Sequence, residues 1–291
     1  MKCGAGRVRL TASVSFMFRE WPLEERFAHA LEAGFDGVEV QQFEGVSAAD
    51  IAASAQDAGA HVELVNVPSG DYAEGGPGLA SLAPRQAEFR RALESALSLA
   101  TALSVPYIHL GPCRVPADSD RAQCMAVYLS NVEYALTRTQ AVGAALLVEA
   151  MNRADAPNAL LPDLATAMTV LKRFPDHLGL LFDVYHVTMN GDDPVEAYGR
   201  VRDRVRHVQF SDAPGRHEPG TGGIDFERVF AGLVSLGYVG AFGAEYLPST
   251  TTAASLRWLP AARASLANRP TERTLPCSGP AKPGRDPAST T

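Results

Sequence analysis

The feature that most constrains this chain is an alternation repeated eight times. Short runs of β-branched and apolar residues give way to longer stretches whose apolar residues recur at helical spacing. The runs VRLTASVSF (8–16), GVEVQQ (37–42), HVELVNV (61–67), YIHLGP (107–112), ALLVEAMN (145–152), LGLLFDVYH (178–186), RHVQFSD (206–212) and GAFGAEYLP (240–248) read as strands. Residues 22–34, 47–59, 85–104, 120–142, 161–174, 192–204, 225–236 and 252–266 read as helices, with Ser47 as an N-cap and Pro260 breaking or kinking the last. Strands joined by helical crossovers run parallel and are covered on both faces. Eight such units in 291 residues match a closed (β/α)8 TIM barrel, an α/β fold of about 250 residues. An open doubly wound sheet fits less well, because no G-x-G-x-x-G follows the first strand. The expected organisation is one barrel over 7–268. A Pro-, Ser- and Thr-rich tail over 269–291 has too little to bury and is expected to be disordered.

Composition narrows the function. A formal net charge of −7 and the lack of any Lys/Arg run argue against a nucleic-acid groove. No stretch of about twenty apolar residues exists to span a membrane, and the opening MKCGAGRVRLTASVSF lacks the apolar centre of a signal peptide. Cys3, Cys113, Cys124 and Cys277 are too irregularly spaced for a disulfide or zinc framework. They read as reduced thiols of a cytoplasmic protein.

In TIM barrels the chemistry sits at the C-terminal ends of the strands. Glu149 comes late in the fifth strand, Asp183 in the sixth, Gln209 in the seventh and Glu245 in the eighth. Each follows an apolar lead-in, so three carboxylates and an amide are expected at one mouth and at matching depth. A lone acid at a strand end is usually a cap or half of an ion pair; four polar ends in successive strands make coincidence hard to sustain. Crowded carboxylates repel and shift each other's pKa unless a cation neutralises them. An oxygen-rich set favours a hard divalent ion, Mg2+ or Mn2+. His186, just past Asp183, and His109 could bond a substrate oxygen, although His109 reads equally well as a satisfied core histidine. Asn66 and Asn152 either orient ligands or cap turns. Arg216 and His217, in a Gly- and Pro-rich loop after the seventh strand, could hold an anionic substrate or be solvated loop charges.

The stretches SFMFREWPLEERFAHALEAGFDGVEV, LVNVPSGD, LLVEAMNR, FDVYH, HVQFSDAPGRHEPGTG and GYVGAFGAEY together resemble the hydroxypyruvate isomerase family, part of the xylose isomerase-like TIM barrels. The likeness runs from near Ser13 to Tyr246, and HVQFSDAPGRHEPGTG is its most specific piece. It implies Glu149 and Glu245 as proton donor and acceptor, with Glu149, Asp183, Gln209 and Glu245 as metal ligands. It implies interconversion of hydroxypyruvate and tartronate semialdehyde through an enediol, with no nucleotide cofactor. Ala150, Ser69, Leu181 and Gly223 depart from the family's usual wording. They put the substrate in doubt more than the reaction type. The expected partner is a small hydroxy or oxo acid, with no nucleic acid and no membrane. A homo-oligomer is compatible with a barrel surface, though no interface patch is legible. A 2-oxo-tetronate isomerase, a ketose 3-epimerase and a non-catalytic sugar-acid-binding barrel stay open as alternatives.

Overall fold

A computed structural model describes residues 8–43 and 45–267. Eight parallel strands pair in chain order, and the last returns to the first to close a barrel. They are β1 (Arg9–Ser13), β2 (Gly37–Val40), β3 (Val62–Asn66), β4 (Tyr107–His109), β5 (Ala145–Glu149), β6 (Leu178–Asp183), β7 (Val205–Phe210) and β8 (Ala241–Ala244). Helices lie between successive strands, as in a TIM barrel. The expected tail at 269–291, the expected domain limits at 7 and 268, Cys3 and Cys277 lie outside the described residues. Cys113 and Cys124 are buried free thiols. No helix among the described residues is long and apolar enough to cross a membrane.

Helix starts are chemically specified. Ser47, Asp120, Asp163, Asp193 and Asp225 each accept a first-turn N–H through the side chain. Several strands end earlier than the sequence reading has them: those read at 8–16, 107–112 and 240–248 are Arg9–Ser13, Tyr107–His109 and Ala241–Ala244, so Glu245 lies just past its strand. The sixth strand stops at Asp183, because its carboxylate caps a short helix, Val184–Met189, that begins at the next residue. The final helix is divided: Thr252–Ser255, a 3-10 turn at Leu256–Trp258, then Leu259–Ala267. Pro260 stands in the first turn of that last segment, where its missing N–H costs nothing, so it starts a helix rather than kinking one.

The alternation of side chains along each strand sorts them by face. Ala12, Val38, Val65, Ile108, Val148 and Phe182 belong to the main core shared with the helices. Leu64, Leu147 and Leu181, with Tyr107 against them, form a separate apolar cluster inside the barrel. Burying each of these leucines stabilises by about 1.5–3 kcal/mol. Two residues further along the same strands, the interior turns polar: Asn66, Glu149, Asp183 and His109.

The mouth is staggered rather than level. Glu149 pairs with Leu181, Asp183 with Gln209, and Gln209 with Gly243. A TIM barrel shears by about one residue per strand, so alternate strands share a layer. By that count Glu149 shares a layer with a residue of β7 and Asp183 with one of β8.

Candidate active site

Glu149, Asp183 and Glu245 are 8%, 2% and 6% exposed, so all three carboxylates are buried at the barrel's C-terminal end. Asp183 spends Oδ1 on the Tyr185 N–H at 2.8 Å, the cap that ends β6. Its Oδ2 has no hydrogen-bond partner, nor have Glu149 Oε1 and His186 Nε2. His186 Nε2 lies 3.8 Å from Glu149 Oε1 and 3.7 Å from Asp183 Oδ2, so the three orphaned atoms face one another. A buried polar atom without a partner costs about 1–3 kcal/mol, and more when charged.

The electrostatics follow from crowding. Burial pushes Glu149 well above the ordinary carboxylate range, and the charges of Asp183 and Glu245 push it further. Asp183 is raised by burial, opposed by Arg216 and by the Tyr185 and His186 N–H groups. Burial also raises Glu245, with Arg216 pulling down and Asp183 and Glu39 pushing up, to about 7. Arg216 is the internal counter-charge. Its Nη2 is 2.8 Å from Glu245 Oε2 and 4.0 Å from Asp183 Oδ2.

The donor set fits a divalent cation. Ligand atoms about 2.1–2.5 Å from one ion lie about 3–4 Å apart, and carboxylate oxygens suit Mg2+ or Mn2+. By position, Glu149, Asp183 and His186 each offer an atom within 4.8 Å of the others, a grouping that could hold a metal ion. Gln209 is prepared differently. Its Nε2 donates to Glu39 Oε2 at 2.6 Å, so the amide oxygen is the end left for a ligand.

The loop after β7 delivers Arg216. Asp212, fully buried, accepts the N–H groups of Ala213, Gly220, Gly222 and Ile224 and so folds the loop around one carboxylate. Gly222 is needed there, since a Cβ would stand 2.1 Å from the Ala213 carbonyl oxygen. Arg216 adopts a left-handed φ of 54°, aiming its side chain past the Phe16 and Tyr185 rings. His217 instead bonds the Leu247 carbonyl through Nδ1 at 2.7 Å, tying this loop to the one after β8.

The remaining expected residues gather around Glu149. His109 Nε2 is 3.6 Å from Glu149 Oε2, while its Nδ1 bonds Asn66 Oδ1 at 3.2 Å. Burial holds the His109 ring far below its ordinary range, at about 3, so it is neutral. Asn152, fully buried, bonds both His186 Nδ1 and Asp155.

Three residues of this site escaped sequence reasoning. Glu39 sits inside the barrel with no exposure, bonded to Thr11, His207, Gln41 and Gln209. Flanked by valines in GVEV, it looks like an ordinary alternating strand residue; only Gly243, where a Cβ would stand 1.9 Å from Glu39 Oε1, hints that something fills the barrel there. Asp212 reads only as the end of the strand RHVQFSD, whereas β7 stops at Phe210, and Asp155 carries no reading. An Asp beside a Gly- and Pro-rich loop was the available signal for the first.

A family model described as the xylose isomerase-like TIM barrel matches residues 27–262. The 2-oxo-tetronate isomerase of Cupriavidus necator is 34% identical over 252 residues, covering 86% of this chain and 97% of that protein. The hydroxypyruvate isomerase of Escherichia coli strain K12 is 30% identical over 253 residues, covering 87% and 98%. A crystal structure described as an AP endonuclease, family 2, from Brucella melitensis superposes with a TM-score of 0.81 at 32% identity, covering 87% of this chain and 98% of that one.

Proposed function

The chain belongs to the xylose isomerase-like TIM barrel family, and from that premise we propose that it is a sugar-acid isomerase interconverting hydroxypyruvate and tartronate semialdehyde. The observation that carries the reading is the buried trio Glu149, Asp183 and Glu245 around Arg216, with Glu149 Oε1 and Asp183 Oδ2 unpartnered. The relatives named as isomerases of hydroxypyruvate and of 2-oxo-tetronate support the same chemistry.

The reaction moves one proton between adjacent carbons. A base takes a proton from C3 of hydroxypyruvate, an enediol spans C2 and C3, and an acid returns a proton to C2. Glu149 and Glu245 are assigned these two roles, exchanged when the reaction runs backwards. Burial and the neighbouring acids raise Glu245 to about 7, above the ordinary carboxylate range, which suits a group that must both take and return a proton. Glu149, Asp183, Gln209 and Glu245 are the residues assigned to hold Mg2+ or Mn2+, whose Lewis acidity, when bound, favours the oxyanion of an enediol. Arg216 is assigned to the substrate carboxylate, exchanging its bond to Glu245 for one to the ligand. His186 is assigned to a substrate oxygen, and His109 with Asn66 holds Glu149 from the opposite side. His217 serves the loop in this arrangement, leaving substrate contact to Arg216.

A four-carbon 2-oxo acid is the second reading, favoured by the 34% identity to a 2-oxo-tetronate isomerase. Comparing kcat/KM for hydroxypyruvate, a 2-oxo-tetronate and a neutral ketose separates them. Highest turnover of hydroxypyruvate is expected. Preference for the tetronate would shift the substrate by one carbon, and turnover of the neutral ketose alone would overturn the sugar-acid assignment.

A further inference from the structure

Three atoms converge without partners at the centre of the site, and one of them is a nitrogen whose chemistry depends on where its proton sits. With a bare Nε2, His186 is a metal ligand. With a proton there, it is a hydrogen-bond donor that no cation can approach. Its surroundings decide between the two.

Asn152 is fully buried behind the ring. Its Oδ1 accepts the backbone N–H of Asp155 at 2.8 Å, and its Nδ2 donates to Asp155 Oδ2 at 2.8 Å. Turning the amide over would set its N–H2 against the Asp155 N–H and its oxygen against the Asp155 carboxylate. The orientation is therefore fixed from two sides rather than assigned by convention. The same Nδ2 lies 2.8 Å from His186 Nδ1. An amide nitrogen has only hydrogens to offer, so Nδ1 must be the acceptor and carry no proton. Asp155 is itself held, because Tyr185 donates its hydroxyl to Oδ2 at 2.8 Å. The loop that carries both residues is pinned to the helix Val184–Met189 by Asn190, which follows that helix and donates to the Met151 and Pro162 carbonyls at 3.0 Å.

We propose that Asn152 and Asp155 act as positioning residues that lock the His186 ring with its proton on Nε2, making it a donor to a substrate oxygen and excluding it from the metal's ligand set. The 3.7 and 3.8 Å gaps to Asp183 Oδ2 and Glu149 Oε1 are too long for direct hydrogen bonds. They leave the Nε2–H without a protein acceptor, free to donate to an oxygen of the substrate. The donor role toward substrate rests on the isomerase reading; the tautomer and the exclusion from the metal do not.

Long-range 1H–15N correlation NMR on the full 15N-histidine-labelled chain reads the tautomer directly, with His186→Gln identifying the signal. The expected pattern is a protonated Nε2 and a bare Nδ1, unchanged when Zn2+ is added as a histidine-seeking probe. In Asn152→Asp, where a carboxylate faces the ring, Nδ1 is expected to gain a proton. A wild-type ring protonated at Nδ1, or one whose Nε2 signal moves to a zinc-bound position, overturns the proposal. Mn2+ binding followed by electron paramagnetic resonance gives an independent arm. His186→Gln is expected to keep Mn2+ affinity within about threefold, against a loss of about 100-fold for Asp183→Asn. Equal losses in both variants overturn the proposal. A protonated Nε2 in a protein that turns over no sugar acid would sink the isomerase reading and leave the lock standing.

Discussion

Glu149 and Arg216 show how single residues set this site. Glu149 follows three apolar residues into the barrel and ends where neither solvent nor a hydrogen bond serves its Oε1. Arg216 reaches the same space from a loop, held there by a left-handed backbone that Asp212 organises. A guanidinium so placed can neutralise the carboxylates in the resting site and an anionic substrate in the working one. Arg216→Ala is expected to raise KM for hydroxypyruvate at least tenfold, about the worth of one charge-assisted hydrogen bond. A neutral ketose is expected to change far less, and an equal rise for both in steady-state kinetics would remove the anchoring role. The same crowding predicts a thermal response to metal. Mn2+ is expected to raise Tm in wild type by binding the folded site, and Asp183→Asn is expected to lose the increase. A melting scan showing equal shifts would place the ion elsewhere.

These residues were legible to different degrees. Glu149, Asp183, Gln209 and Glu245 stand out because each interrupts an apolar lead-in near a strand's end. Glu39 does not, because its flanking valines give it the alternation of any half-exposed strand, and only closure of the barrel turns that face inward. The Asn152 to Asp155 relay depends on a loop's path, which no periodicity encodes.

At the level of elements, the strands carry chemistry on one face and packing on the other, and two irregularities matter. Between β2 and β3, Val38 pairs with Val62 but Glu39 with Leu64, so Glu63 is an extra residue. The slip lets Glu63 bond Arg9 at 2.7 and 2.9 Å and His61 at 2.9 Å while almost fully buried. On β8, Gly243 leaves room for Glu39. Gly243→Ala overfills that space and is expected to cost about 1–3 kcal/mol in urea unfolding. It should also disturb Gln209, which Glu39 holds. A variant as stable as wild type would mean the barrel interior relaxes more freely than this packing allows. The eight strand-helix units were readable from hydrophobic period alone, whereas the end of β6 was not, since FDVYH is as apolar as a strand and only the Asp183 cap turns it into a helix.

Across the whole molecule, stability and activity draw on different carboxylates. Burial pushes Glu63 up, but the His61 hydrogen bond and the charges of His207, Arg9 and His61 pull it further down, so it stays below the ordinary range. A carboxyl lowered on folding contributes stability that is fully present above its unfolded pKa and is lost as pH falls through the folded value. The stability gap between wild type and Glu63→Gln is therefore expected to be widest near neutral pH and to shrink below about pH 4. A gap independent of pH in denaturant titrations would contradict that linkage. Glu149 and Glu245, the carboxylates assigned to the proposed proton transfer, are shifted the other way, upward. The central claim is that Glu149 and Glu245 pass a proton between adjacent carbons of a sugar acid. Proton NMR in D2O, with hydroxypyruvate and Mg2+ or Mn2+, tests it against Glu245→Gln and an enzyme-free blank. The account predicts tartronate semialdehyde carrying deuterium at carbon with wild type, and only the slow background enolisation with the variant. Wild type matching the blank, or product formed without deuterium at carbon, would contradict it.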